Sequence, residues 1–75
     1  MMYVKIIWQD HHSNYGWFDP NEVYPEKLYN TSVGILVHQD TDHVTIAQTA
    51  VKDGEQYGDL LNIISSNILE MKELN

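Results

Sequence analysis

The sequence predicts a mainly β fold in a single small domain, residues 1–75, and three observations lead to it. Residues 2–9, MYVKIIWQ, alternate, with Val4, Ile6 and Trp8 on one side and Tyr3, Lys5, Ile7 and Gln9 on the other. Period two in a run of β-branched and aromatic residues is the signature of a strand. Residues 31–51, TSVGILVHQDTDHVTIAQTAV, read as two strands around the turn QDTD. The tail from residue 59, DLLNIISSNILEMKELN, splits into two apolar stretches around Ser65, Ser66 and Asn67.

Each element then follows in order. After the first strand, DHHSN is a polar loop and YGWF a short strand or turn. DPNEVYPEKLYN carries both prolines and reads as a loop with one helical turn, because Asp19 followed by Pro20 suits an N-cap and first-turn pair. In the central hairpin, pairing Gln39 with Asp42 sets His38 against His43, Val37 against Val44 and Ile35 against Ile46. Val33, Ile35 and Val37 then share a face with Val44 and Ile46, while Leu36, Thr45 and the histidines take the other; this agreement of patterns is what selects a register. KDGEQYG, residues 52–58, is a glycine-bearing loop. In the tail, Ser65, Ser66 and Asn67 compete for backbone hydrogen bonds and disfavour a helix interior. Two strands around a short 3₁₀ turn are therefore expected. The alternative is an α+β fold with a helix over 59–74, capped by Asp59 and striped by Leu60, Leu61, Ile64, Ile68 and Met71.

Composition limits the chemistry. Seventy-five residues allow one thin core, and with no cysteine there is no disulfide or thiolate metal site. Eleven carboxylates oppose four lysines, there is no arginine, and the net charge is −7. Phosphate attraction dominates affinity for duplex nucleic acid, so this balance argues against such a partner. An acidic surface suits solubility, or docking on a basic partner. No run approaches the roughly 20 apolar residues of a membrane span. MMYVKIIWQD lacks the basic start of a signal peptide, so a cytoplasmic protein is expected and NTS at Asn30 is read as a chance sequon.

The segment IISSNILE resembles the end of an SH3-type barrel, with Ile64, Ser65, Ser66, Asn67, Ile68 and Leu69 standing where an apolar residue, a small residue, Ser-Asn in a 3₁₀ turn and a closing strand belong. The resemblance implies a small SH3-like five-stranded barrel. It does not carry over proline-peptide recognition, since YVKIIWQD departs from the aromatic opening motif of proline-binding SH3 domains. A wider layout is similar to small accessory proteins of phages and prophages. Its residues here are Trp8, Asp10, Gly16, Trp17, Val33, Gly34, Leu36, Val37, Asp42, His43, Thr45, Ala47, Gly58 and Asp59. That resemblance implies a phage-encoded protein, including those that counter host defences.

The histidines come as the pairs His11–His12 and His38–His43, and two histidines with a carboxylate can hold a divalent ion. His38 and His43, beside Asp40 and Asp42, are the better placed, but metal sites usually need three or four converging ligands. No metal or cofactor is expected. There is no nucleophile elbow and no phosphate-cradling glycine loop. A thin domain also desolvates carboxylates poorly, so the chain reads as non-enzymatic.

The aromatic residues Trp8, Tyr15, Trp17, Phe18, Tyr24 and Tyr29 crowd one third of the chain. Trp8 belongs in the core by strand parity. Neighbours in extended chain face opposite ways, so Trp17 and Phe18 cannot both be inside. Tyr15, Trp17 and Phe18, with Asp40 and Asp42, are the candidate partner-binding residues. Three functions fit. The first is a module that binds a host protein through acidic and aromatic surface. The second is a sponge that sequesters a small nucleotide immune signal between subunits. The third is a minor virion component. A homo-oligomer is expected, because TIAQTAV reads as an edge strand with few charges.

Overall fold

The computed structural model describes residues 1–10, 17–22, 28–52 and 54–74. These form five antiparallel strands in one sheet: β1 (Tyr3–Asp10), β2 (Leu28–Gln39), β3 (His43–Val51), β4 (Gln56–Ile64) and β5 (Ile68–Leu74), in the order β4-β3-β2-β1-β5. Two 3₁₀ turns join them, η1 (Pro20–Glu22) and η2 (Ser65–Asn67).

The predicted parity of β1 holds. Val4 and Ile6 are buried in a cluster with Val44, Ile46 and Ile63, and Trp8, Leu36, Leu61, Ile68 and Met71 pack against it. The tail is two strands around a 3₁₀ turn, so the alternative helix over 59–74 is overturned. Strand geometry lets Leu61 and Ile63 on β4 and Ile68 and Met71 on β5 face one core from two different strands. A single helix would present them to one side only.

The central hairpin forms, but in another register. Gln39 lies opposite Val44, His38 opposite Thr45, Leu36 opposite Ile46 and Ile35 opposite Ala47, with an irregularity at Val37. Two corrections follow. His38 and His43 do not face each other, and Leu36 takes the core face. Ile35 is buried, as expected, but on the other face, and Val33 and Val37 are exposed. The turn and the irregularity at Val37 act together. Asp40 accepts hydrogen bonds from the N–H groups of Asp42 and His43, each at 2.8 Å, and its own N–H donates to the His43 carbonyl at 2.9 Å. The turn thus sets Gln39 opposite Val44, a two-residue shift that keeps the faces, and the irregularity at Val37 then swaps them for Leu36 and Ile35.

Two further boundaries move. Gln56, Tyr57 and Gly58 belong to β4 rather than to a loop, and Leu28–Asn30 belong to β2. TIAQTAV is an edge only in part: β3 lies between β2 and β4, with Thr45, Ile46 and Ala47 paired on both sides and Thr49, Ala50 and Val51 paired with β4 alone. The helical turn after Asp19 is present as η1.

β2 serves two neighbours in turn. Its first part, Leu28–Ile35, pairs with β1 and its second, Ile35–Gln39, with β3. At the crossing lies Gly34, where an added Cβ would sit 2.8 Å from the Ala47 carbonyl oxygen and 3.1 Å from the Ile46 Cβ. Backbone cannot yield as a side-chain tip can. Gly34→Ala is expected to destabilise by about 1–3 kcal/mol, the range of core overpacking, read from chemical denaturation.

Candidate functional site

Three surface features carry the candidate residues. The first is the segment leading into η1. Trp17 is 100% exposed and Phe18 50% exposed. Parity allowed one of the two to turn inward, yet both stand in solvent. Tyr15 lies outside the described residues, as do Tyr24, His11 and His12. Trp8, by contrast, is half-buried, and its indole N–H donates to Ser32 Oγ at 3.0 Å across the β1–β2 pair. One step outward, Asn30 Nδ2 donates to Asp10 Oδ2 at 2.8 Å. These two bonds anchor the end of the β1–β2 pair from which the aromatic segment departs. Asn30 and Ser32 carried no recognisable signal in the sequence, because their use depends on which residues stand opposite.

The second feature is the β2–β3 turn. Asp40 gives Oδ1 to two backbone N–H groups, and its Oδ2 lies 2.7 Å from His38 Nε2. The His38 contact, followed by the His43 and Asp42 N–H bonds, draws the Asp40 pKa from 3.8 down to about 2. Asp40 therefore serves the turn first. Asp42 keeps an exposed side chain while its carbonyl accepts the Ser65 N–H at 2.8 Å, tying the turn to η2. His38 and His43 belong to different ladders, His43 standing opposite Ile64. No group of three or more His, Cys, Asp or Glu that could hold a metal occurs among the described residues.

A pH prediction follows from the depressed value. A carboxyl that is more acidic folded than unfolded stabilises the fold fully above its unfolded value of 3.8, and that stabilisation is lost as the pH falls towards about 2. Melting temperature should fall over this window in the wild type and fall less steeply in Asp40→Asn. Equal acid sensitivity of the two proteins would show that the turn does not depend on the charge.

The two features are rooted far apart. The aromatic segment leaves the sheet between Asp10 and Leu28, which are paired, and the acidic turn follows Gln39 at the other end of β2. Twelve strand residues span about 36 Å at roughly 3.3 Å each. The sequence grouped Trp17, Phe18, Asp40 and Asp42 as one surface, whereas their anchors lie at opposite ends of one strand.

The third feature was missed. Residues in register across the face opposite the Val4–Ile46 cluster form an apolar row, Leu74, Tyr3, Ile35, Ala47 and Leu60, buried at its centre, where Ile35 is 6% and Ala47 0% exposed, and open towards its ends. Tyr3 is 45% and Leu60 53% exposed. Beside this row Lys5 stands opposite both Val33 and Lys72. Two of the four lysines of an acidic chain thus meet across one strand pair. Like charges directly opposite destabilise a sheet, and neither lysine makes an ion pair among the described residues. Strand alternation had placed Tyr3 and Lys5 on this face, but the register that brings Lys72 to them could not be read from either strand alone.

No helix among the described residues is long and apolar enough to cross a membrane. Comparison with protein-family models, with curated proteins and with solved structures finds no match for this chain.

Proposed function

We propose that the protein is a non-enzymatic binding module, phage-encoded and acting in the host cytoplasm, that engages a host defence or regulatory protein. The observation that carries the reading is Trp17, fully exposed beside an exposed Phe18. A large aromatic side chain in water is the residue type most often found at the energetic centre of an interface. The net charge of −7 and the exposed Asp42 favour a partner with a basic surface. An SH3-like barrel is the fold proposed for this module. Supporting it are the short η2 between β4 and β5, the pairing of β5 with β1, and the division of β2 between two neighbours. The test compares Trp17→Ala with the wild type in pull-downs from host extract. Trp17→Ala should melt as the wild type does and should lose a specifically retained protein, with affinity reduced roughly 30-fold or more. Equal retention by both proteins would refute the aromatic site.

A second reading has its own observation. Lys5 opposite Lys72, with Tyr3 in the adjoining row, offers two cations and a ring to a small nucleotide. Thermal shift with cyclic dinucleotides separates the readings, because a ligand of the native state raises its melting temperature. A rise that is abolished in Lys5→Ala and Lys72→Ala would favour sequestration of a nucleotide over protein binding.

A further inference from the structure

The free edge of β4 is less guarded than that of β5. The sheet ends at β4 on one side and β5 on the other. The two edges differ. β5 carries Glu70, Lys72 and Glu73, and its register with β1 shifts between Ile7 and Trp8. Charges and bulges are the usual means by which an edge avoids pairing. β4 carries one charge, Asp59, held at φ 56. Asp59 is also the one β4 residue skipped in its ladder with β3. Beyond that interruption lie five uncharged residues in unbroken register with β3, Leu60–Ile64. Leu61 and Ile63 face the core, while Leu60 and Ile64 face outward and are each 53% exposed. Among the described residues, this segment has no backbone partner beyond β3.

We propose that Leu60–Ile64 pairs antiparallel with the same segment of a second copy, forming a homodimer with one continuous sheet. The register follows from parity. A two-fold axis normal to the sheet preserves its faces, so outward residues must meet outward residues. Centring the pair on Asn62 matches all five residues. Leu60 then opposes Ile64 of the partner subunit, Asn62 opposes its own copy, and Leu61 opposes Ile63 of the partner subunit. Centring on Leu60 or Leu61 draws Asp59 into the apolar ladder, and centring on Asp59 opposes it to itself. Centring on Ile63 pairs only three of the five. The segment is therefore self-complementary in one register, and a second copy is the partner it fits best. This inference is independent of any partner held at Trp17.

Each copy carries a charge of −7, so long-range repulsion opposes association and salt should strengthen the dimer. A contact between the Lys5–Lys72 pair and an acidic surface would respond in the opposite direction.

The experiment is analytical ultracentrifugation of the full chain over a concentration series. A monomer–dimer equilibrium is expected, with a monomer of 8.7 kDa. Leu60→Lys and Ile64→Glu alter exposed positions, so the melting temperature of the monomer should hold, while each weakens the dimer tenfold or more. The double variant, Leu60→Lys with Ile64→Glu, should recover most of the affinity, because the two new side chains meet across the axis. The chain has no cysteine, so Asn62→Cys offers a second readout, at the loss of the hydrogen bond that Thr45 Oγ1 donates to Asn62 Oδ1 at 2.6 Å. Residues directly opposite in an antiparallel pair have Cα atoms about 4.5–5.5 Å apart, within disulfide reach. Oxidation should give a covalent dimer. A monomer at every concentration, a dimer indifferent to both single variants, or a double variant no better than the singles would overturn the proposal.

Discussion

Ile46→Ala is expected to lower the folding free energy by about 4 kcal/mol, within the 2–5 kcal/mol range for truncating a buried isoleucine. Ile46 is 0% exposed and lies in the ladder between Leu36 on β2 and Leu61 on β4. The cost depends on how well the site can collapse around the missing atoms. Here it collapses poorly, because the residue whose Cβ would point at Ile46 is Gly34, which has none. The neighbouring strands are held by hydrogen bonds on both sides of β3, so backbone cannot move in. Natural domains hold only about 5–15 kcal/mol, and a chain this small sits at the low end. Ile46→Ala should therefore populate the unfolded state on mild warming. Ile64→Ala is the control. Its side chain is 53% exposed, and its loss should change monomer stability by no more than about 0.5 kcal/mol. Urea titrations of both variants, at concentrations where the protein is monomeric, decide the matter. A cost below 1 kcal/mol for Ile46→Ala would mean that the core lies elsewhere.

Trp8→Ala should cost about 3 kcal/mol, the low end for truncating a core aromatic, because the ring is only half-buried. Two losses combine. The ring leaves its packing against the cluster of Val4, Ile6, Val44, Ile46 and Ile63. Ser32 Oγ also loses the indole N–H, a donor at 3.0 Å in a part-buried position. Trp8→Phe keeps most of the apolar area and loses the hydrogen bond, so it should cost about 1 kcal/mol. The same substitution at Trp17 removes nothing that the fold uses. Thermal melts of Trp8→Ala, Trp8→Phe and Trp17→Ala should rank in that order of damage.

How far the sequence carried differs from element to element, for physical reasons. β1 was legible because Val4, Ile6 and Trp8 alternate with polar or less buried neighbours, so only one face could be the core. The strand–turn–strand tail was legible because Ser65, Ser66 and Asn67 spoil a helix. The hairpin was legible as a hairpin, but its register was not. In VGILV, Ile35 and Leu36 are adjacent and equally apolar, so alternation fits either choice. The turn closed by the Asp40 carboxylate moves the register by two residues, which keeps the faces, and the choice was made by the irregularity at Val37, which swaps them. No hydrophobic pattern contains that bulge. The glycine at position 58 suggested a loop, yet it is paired opposite Thr49 inside β4. Of the candidate site, parity required only one of Trp17 and Phe18 to stand outside, and neither the exposure of both nor the part Asp40 plays in its own turn was legible. The Lys5–Lys72 juxtaposition and the free edge at Leu60–Ile64 emerge only once the strand order is known.

The central claim is that the two tryptophans do opposite work, Trp8 inside and Trp17 outside. Acrylamide quenching of tryptophan fluorescence in single-tryptophan proteins tests it without any knowledge of the partner, because the chain has just these two. In Trp8→Phe the remaining Trp17 should be quenched about as efficiently as a free indole in water, with emission at the red limit. In Trp17→Phe the remaining Trp8 should be quenched several-fold less and emit further to the blue, until urea unfolds the protein and the two become alike. A shielded, blue-emitting Trp17 in the free monomer, with Trp8 open to quencher, would contradict the account and place the recognition surface on the opposite side of the sheet.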